Sequence, residues 1–329
     1  MTIRIAAALS LTGRFARFGR QAAHGLAAWS ELTPDVEFVV EDDGSEPDRV
    51  RTGLHTLSGR CDVLLGPYST SLTRAAGEFA RDTGVLLWNH GGSGDDVQDA
   101  DPGHLVSVPS PTSSYAESFV DHLAGLPVRA PLRLVQGRGS FGRQVIAGAE
   151  AAAARCGITT VRGRSDGVPR DSPWDLFTAG TFEHDVEVLS SVSRLAAGPR
   201  TAGSVAAGVQ GFADVAATTD GIFGTAQWVP GGGGSVRLGP GEADFLPIYR
   251  RHARAEPDYP AVQVAAAASI AHHCLQVAGS TSRGDLFAAA TALRTSTLFG
   301  RYAVDPATGR QVGHRMALVR WSGGRIRRV

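Results

Sequence analysis

Between Asp62 and Ser93 the chain reads DVLLGPYSTSLTRAAGEFARDTGVLLWNHGGS, and this stretch confines the fold to a narrow class. Val63-Leu64-Leu65 is an apolar run too short for a helix and closed by Gly66-Pro67, the pattern of a parallel strand buried on both faces. Ser69, Thr70 and Ser71 stand where a helix should begin. Leu72, Ala75, Ala76 and Phe79 then recur at the spacing of one helix face. Gly84 stops that helix, Val85 to Trp88 starts a second strand, and the strand runs into the polar turn Asn89-His90-Gly91-Gly92-Ser93. Two parallel strands therefore finish at one edge of a sheet. A helix N-terminus and a glycine turn both carry N–H groups without internal partners, so both receive anions. The carboxyl edge of an open α/β sheet is also where such folds bind ligands. A small-molecule site that takes a carboxylate is the expectation.

The same rhythm fills the chain on either side. Ile3 to Leu9 is a strand, a helix follows from Gly19, and Val36 to Glu41 is the next strand, closing at Asp42-Asp43. Ser45-Glu46-Pro47-Asp48 reads as an N-cap with proline in the first turn. Leu105 to Val108 adds another strand before Pro109-Ser110-Pro111 resets the pattern. A second unit of similar build follows, with strands at Leu132 to Val135, Ile158 to Val161, Leu176 to Ala179 and Ser204 to Ala206. Its helices are read at Tyr115 to Leu126, Phe141 to Cys156 and Glu183 to Leu195. The glycine run 231–234 reads as a flexible crossing, and the chain from Phe299 alternates like a hairpin around Asp305-Pro306-Ala307-Thr308-Gly309. Short-looped β-α repetition predicts an α/β protein with doubly wound parallel sheets.

Composition narrows the function. At 329 residues the chain is long for one core, and its basic and acidic residues balance at 32 each, which argues against nucleic acid or an anionic membrane as partner. Cys61, Cys156 and Cys274 give neither a disulfide framework nor metal-ligand spacing. No apolar run reads as long enough to span a membrane. The start, MTIRIAAALSLTG, shows no leader, so the chain reads as cytoplasmic as written and as extracytoplasmic if a leader precedes it. Gly137-Arg138-Gly139-Ser140-Phe141-Gly142 fits a dinucleotide fingerprint, with Arg162 and Arg164 in place of the acidic ribose partner. An NADP-dependent oxidoreductase is therefore the alternative from another class. No catalytic set accompanies the motif, and glycine-rich strand-to-helix turns are common in such sheets. Asp42-Asp43 reads as a strand end in solvent, and His272, His273 and Cys274 cannot all face one metal from a helix. No cofactor and no enzymatic activity are expected.

Five segments, IAAALSLTGRFARFGRQAAHGLAAW, VEFVVEDDGSEPDRV, LLGPYSTS with Asn89–Ser93, SFGRQV and LFGRYAVDPATGRQVGHRMALVRW, together resemble the type I periplasmic binding proteins of the leucine/isoleucine/valine-binding kind, the solute receptors of ABC transporters. IAAALSLTGRFARFGRQAAHGLAAW is similar to the family's opening strand, turn and helix, and VEFVVEDDGSEPDRV to its second strand and proline-capped helix. LLGPYSTS and Asn89–Ser93 match its ligand-gripping segments. SFGRQV resembles its second-lobe helix start, and LFGRYAVDPATGRQVGHRMALVRW its C-terminal hairpin.

The resemblance implies two lobes joined by three crossings, closing on a ligand in a cleft. It places residues 1–109 and 229–303 in the first lobe, 110–228 and 304–329 in the second. It further implies that Ser69, Thr70 or Ser71, with the Gly92 N–H and Ser93, hold a ligand carboxylate. Phe18 is then an aromatic wall, with Tyr68 and Gly91 beside it. Phe141, Phe182, Glu183 and Gln210 fall at the second lobe's contact positions. No acid stands near 207–210, where the family has its partner for an α-ammonium. The implied ligand is thus an amino acid, amide or organic acid, with an acid or amide lacking a free amine preferred. The implied partner is an ABC permease, or a regulator if the chain is a cytoplasmic sensor of the amide-sensing kind.

Overall fold

The computed structural model describes residues 2–163, 172–195, 197–232 and 234–329. Arg164 and Gly233 lie outside the described residues. The chain divides into two compact units, unit 1 from Met1–Pro111 and Gly233–His314, unit 2 from Thr112–Gly232 and Arg315–Val329. The last passage between them falls beyond the expected Val304, because the segment after Tyr302 stays tied to unit 1. Val304 bridges Gln311, Gln311 Nε2 donates to the Val108 carbonyl at 3.0 Å, and the Ser107 amide donates to the Gly309 carbonyl at 3.0 Å.

Unit 1 opens with β1 (Ile3–Leu9), α1 (Ala16–Glu31), β2 (Val36–Asp42), α2 (Pro47–Ser58) and β3 (Val63–Leu65). It continues through α3 (Thr70–Thr83), β4 (Leu87–Asn89), α4 (Asp95–Ala100) and β5 (Leu105–Ser107). Unit 2 supplies α5 (Glu117–Ala124), β6 (Leu132–Gln136), α6 (Ser140–Arg155) and β7 (Thr160–Arg162). After them come β8 (Asp175–Ala179), α7 (Phe182–Val192), β9 (Thr201–Ser204) and β10 (Phe223–Ala226). The chain returns to unit 1 for α8 (Glu242–Ala253), α9 (Tyr259–Ala278), α10 (Arg283–Ala292), β11 (Thr295–Thr297) and β12 (Gly300–Tyr302). It ends in unit 2 with β13 (Ala317–Ser322) and β14 (Arg325–Arg328).

Unit 1's sheet has the order β2-β1-β3-β4-β5, every neighbour parallel. Leu72, Ala75, Ala76 and Phe79 are all buried, so the α3 stripe packs as its spacing predicts; Leu72, Ala76 and Phe79 join Leu54, Leu57 and Leu64 in one cluster. Gly84 ends α3 in the left-handed conformation that glycine adopts without cost (φ 74°). Unit 2's sheet runs β14-β13-β10-β9-β8-β6-β7; β10 through β7 are parallel, and the C-terminal hairpin adds two antiparallel strands at one edge. Both sheets carry the α/β architecture expected.

Four local readings need correcting. By length and composition α9 is long and apolar enough to cross a membrane, against the expectation; here Ala261, Val262, Ala265, Ala268 and Ile270 are buried in unit 1, and the helix packs on α1 and α10. Ser45 is not the cap of α2, since Glu46 holds that position. The Ser45 hydroxyl instead donates to the Thr12 carbonyl at 2.8 Å and accepts from the Phe15 amide at 3.1 Å, stapling the turn after β1. Val205 and Ala206 are not strand: β9 ends at Ser204, whose hydroxyl accepts from the Ala207 amide at 3.0 Å and starts a short 3₁₀ turn. Asp43 is not in solvent but 1% exposed.

The fingerprint glycines have a packing reason. A Cβ on Gly142 would lie 2.7 Å from the Ala179 carbonyl oxygen, and one on Gly137 2.5 Å from the Gly180 Cα. The turns after β6 and β8 touch backbone to backbone there, and only glycine permits it.

Candidate functional site

In unit 1 the neighbouring strands β3 and β4 end side by side, and their turns are joined. Tyr68 and Gly91 form a parallel bridge, and the Ser69 amide donates to the Gly91 carbonyl at 3.2 Å. That junction holds Ser69 at φ 85° and ψ 149°, a region that only glycine enters freely. The Ser69 hydroxyl caps α3 by accepting from the Leu72 amide at 3.4 Å, and lies 3.3 Å from the Ser71 hydroxyl. Thr70 Oγ1 accepts from the Gly94 amide at 3.1 Å, locking the two turns together. The Thr70 and Ser71 amides, in the first helical turn, make no hydrogen bond among the described residues. They are the open donors of this edge, and the helix dipole adds positive potential there.

The turn after β4 is wired by Asn89, which is fully buried. Its Oδ1 accepts from the Gly91 amide at 3.1 Å and the Gly92 amide at 2.8 Å. Its Nδ2 donates to the Gly92 carbonyl at 2.6 Å and the Ser107 hydroxyl at 2.9 Å. The Gly92 N–H, expected above as a ligand donor, is therefore already taken by Asn89. Ser93 is buried, and its carbonyl accepts from Gln98 Nε2 at 3.3 Å.

Beside these turns stands an aromatic wall. Phe18 stacks on Tyr68 with centroids 4.6 Å apart and planes 12° from parallel, and Phe15 meets the same ring edge-on at 5.8 Å. The Tyr68 hydroxyl is paired with that of Tyr259, and burial raises its pKa. Tyr259, which opens α9, was not foreseen; an aromatic residue directly before Pro260 at a helix start was the available signal. Phe18, Tyr68, Ser69, Thr70, Ser71, Gly91, Gly92 and Ser93 are thus brought to one edge of unit 1. His90 lies within it, fully buried, its pKa lowered to about 4 by desolvation against the pull of the Gly66 backbone.

Two strands away Asp42 and Asp43 hold the turn after β1. Asp42 Oδ1 accepts from the Leu11, Thr12 and Gly44 amides at 2.9, 3.1 and 3.0 Å. Asp43 Oδ1 accepts from the Ser10 hydroxyl at 2.6 Å and the Ser45 amide at 2.7 Å, while its Oδ2 is buried without a partner. Burial raises the Asp43 pKa, with the Asp42 charge acting in the same sense.

In unit 2 the corresponding residues are dispersed. Phe141, in the first turn of α6, meets Tyr115 edge-on at 5.7 Å, packed on one core cluster. Phe182 begins α7 and packs on a different cluster with Val186 and Leu189. Glu183 and Gln210 are exposed. The acid inside this edge is Asp185, 1% exposed. It contacts the Thr178 hydroxyl and accepts from the Ala206 amide, each at 3.2 Å. Burial pushes its pKa up to about 8 against the pull of the surrounding amides and the Thr178 hydroxyl.

Sequence comparison matches residues 2–169 to the family model described as periplasmic binding protein. Among curated proteins no match was found. Among solved structures, a leucine binding protein from Thermotoga maritima superposes with a TM-score of 0.82 at 14% identity, covering 100% of this chain and 98% of that one. A solute binding protein of an ABC transporter from Rhodopseudomonas palustris, in complex with 3,4-dihydroxybenzoic acid, gives 0.81 at 14% identity over 99% and 95%. Another from R. palustris, in complex with 4-hydroxybenzoate, gives 0.80 at 15% identity over 100% and 96%. The shared fold is the type I periplasmic binding fold.

Proposed function

The chain belongs to the periplasmic binding protein family, and from that premise we propose that it is a non-enzymatic receptor for a small carboxylate-bearing solute, serving ABC-type uptake through a permease partner. One observation carries the reading. The Thr70 and Ser71 amides stand open at the N-terminus of α3, beside the Phe18–Tyr68 wall. A carboxylate there gains charge-assisted hydrogen bonds and a favourable dipole, and an apolar body beyond it meets aromatic surface.

The body carries no free amine in this proposal. A buried ammonium needs an acceptor, and leaving it unpaired costs several kcal/mol. Asp185 is buried against the Thr178 hydroxyl and the Ala206 amide, and Glu183 stands at an exposed helix start. The R. palustris proteins bound to hydroxybenzoates show that this fold accepts such acids.

A thermal-shift panel tests the reading, followed by calorimetry with 4-hydroxybenzoate, 3-phenylpropanoate, 4-methyl-2-oxopentanoate, leucine and phenylalanine. Binding raises the melting temperature by mass action. Stabilisation by at least one deaminated acid is expected. No stabilisation by any member would end the solute reading, and amino acids binding about tenfold tighter (roughly 1.4 kcal/mol) than their deaminated partners would end the amine-free one.

A further inference from the structure

The first and third passages between the units leave unit 1 at Pro111 and His314. Just before those points the two chain segments are tied to each other inside unit 1. Ser110 Oγ lies 2.6 Å from His314 Nδ1 and 3.3 Å from the His314 carbonyl oxygen. Both residues are buried. Three residues earlier on the third passage, Gln311 Oε1 accepts from the His314 amide at 3.3 Å, while Nε2 donates to the Val108 carbonyl. The His314 ring lies flat on Phe299, with centroids 4.2 Å apart and planes 8° from parallel. Pro109 and Pro111 flank Ser110, and neither has an N–H with which to tie this stretch down. A hydroxyl both donates and accepts. It donates to Nδ1 when that nitrogen is bare. When Nδ1 carries the proton, the hydroxyl accepts it and turns its own hydrogen to the His314 carbonyl. The tie therefore holds in either tautomer.

Beyond the tie each chain is soon anchored in unit 2. On the first passage the Ser113 backbone packs so closely on α6 that a Cβ on Gly148 would lie 1.8 Å from the Ser113 carbonyl oxygen. On the third passage Arg315 pairs with Asp121 at 3.0 Å, and Met316 is buried in the same core cluster as Tyr115. Between tie and anchor there remain only the links from Ser110 to Ser113 and from His314 to Arg315. We propose that Ser110 and His314 are positioning residues that clasp the first and third passages together, confining hinge bending to those two short links. Hinges work through a few loop or element-terminal residues that absorb the change in φ and ψ. A clasp at their root fixes which residues those are. This goes beyond the receptor reading and does not rest on it, since it concerns the chain with no solute bound.

Double electron–electron resonance on the solute-free protein tests the clasp. Nitroxides are carried on a keto amino acid at the exposed positions of Val277 in unit 1 and Val215 in unit 2, which leaves the native cysteines untouched. Ser110→Ala removes the hydroxyl, and His314→Phe keeps a ring on Phe299 while removing Nδ1. Each should widen the distance distribution about 1.5-fold or more, and the double variant no further than the wider single one, because both changes break one clasp. His314→Asn, which sets a polar atom near the place of Nδ1 without the ring, should stay close to the wild-type width. Leu54→Ala, fully buried in the cluster with Leu57 and Leu64, is the control. It should lower the melting temperature by leaving a cavity and keep the wild-type width. Should one clasp variant not accumulate folded, the other carries the test. Wild-type width in Ser110→Ala or in His314→Phe overturns the proposal, as does equal widening by Leu54→Ala. A wide His314→Asn beside a narrow His314→Phe overturns it too, by assigning the restraint to the ring stack. Solute calorimetry has no part in these readouts, so failure of the receptor reading is told apart from failure of the clasp.

Discussion

The carboxyl edges of the two units are made by the same strand–turn–helix grammar, yet an amide wires one and a carboxyl the other. Asn89 in unit 1 both donates and accepts, so it ties the Gly91–Gly92 turn to β5 and leaves no charge behind. Asp185 in unit 2 is held by the Thr178 hydroxyl and the Ala206 amide and buries an acid. On the proposed reading, the difference decides where a solute anion binds. In unit 1 the glycine-turn amides are silenced, and the helix-start amides of Thr70 and Ser71 stay open. In unit 2 the acid already inside is the acceptor of the Ala206 amide.

The comparison breaks first, and hardest, at Asn89. Asn89→Ala strands two amides, a carbonyl and a hydroxyl in the interior. Each buried group left unmade costs about 1–3 kcal/mol, so unit 1 should lose roughly 3–5 kcal/mol in urea unfolding. A loss below about 1 kcal/mol would mean the turn holds itself and Asn89 is not its organiser.

Titration sharpens the contrast next. His90 has a folded pKa of about 4, lowered from 6.5, so its neutral form belongs to the fold. Stability tied to it is complete above pH 6.5 and drains away as pH falls towards 4. Asp185 is raised from 3.8 to about 8, so its protonated form belongs to the fold. Its contribution is complete below pH 3.8 and is lost as pH climbs to 8. Hydrogen exchange across this range should show His90→Gln flattening the acid limb in unit 1, by on the order of 3 kcal/mol. Asp185→Asn should flatten the alkaline limb in unit 2. If each variant keeps the wild-type profile, the two burials do not govern it.

What could be read beforehand divides along the same line. Apolar runs and helix spacing gave β3, α3 and β4 because burial of a strand or stripe leaves a period in the sequence. The stripe of α7 was visible too: Asp185, Leu189 and Val192 share its buried face at i, i+4 and i+7. An acid on such a stripe is the signal of a satisfied internal carboxyl, since acids otherwise stand outside. Asn89 left no signal, since its four bonds depend on how two turns and β5 meet in space. Ser45 and Glu46 show the limit from the other side: local capping rules favoured Ser45, but the turn after β1 claimed its hydroxyl. The hairpin around Asp305–Gly309 was legible locally and is closed by the Val304–Gln311 bridge, but its ties at the end of β5, from Gln311 to the Val108 carbonyl and from the Ser107 amide to the Gly309 carbonyl, are long-range and left no signal.

The binding contrast comes third. Thr70→Ala removes the acceptor of the Gly94 amide and slackens the turn beside the open donors. It should weaken the best acid of the panel by roughly 1–3 kcal/mol. Gln210→Ala, at an exposed position of unit 2, should change affinity by less than about 0.5 kcal/mol. The reverse ranking by calorimetry would move the anion to unit 2.

The smallest effect is expected at Asp43, and it tests the edge most finely. Its Oδ1 already has two donors, the Ser10 hydroxyl and the Ser45 amide, and its Oδ2 has none. Asn keeps the Oδ1 acceptor and replaces the orphan oxygen with a neutral amide. The ionised carboxylate is disfavoured by burial and by Asp42, so removing the charge relieves a penalty while the new N–H₂ group lacks a partner. These terms oppose one another, and Asp43→Asn should change stability by under about 1 kcal/mol and solute affinity by less than about threefold. Asp43→Ala, which leaves the Ser45 amide and Ser10 hydroxyl without their acceptor, should cost about 1–3 kcal/mol in stability. If instead Asp43→Asn abolishes binding while Thr70→Ala leaves it intact, the orphan oxygen is a solute acceptor. The solute would then present a donor to unit 1, and the assignment of its carboxylate to the start of α3 would be reversed.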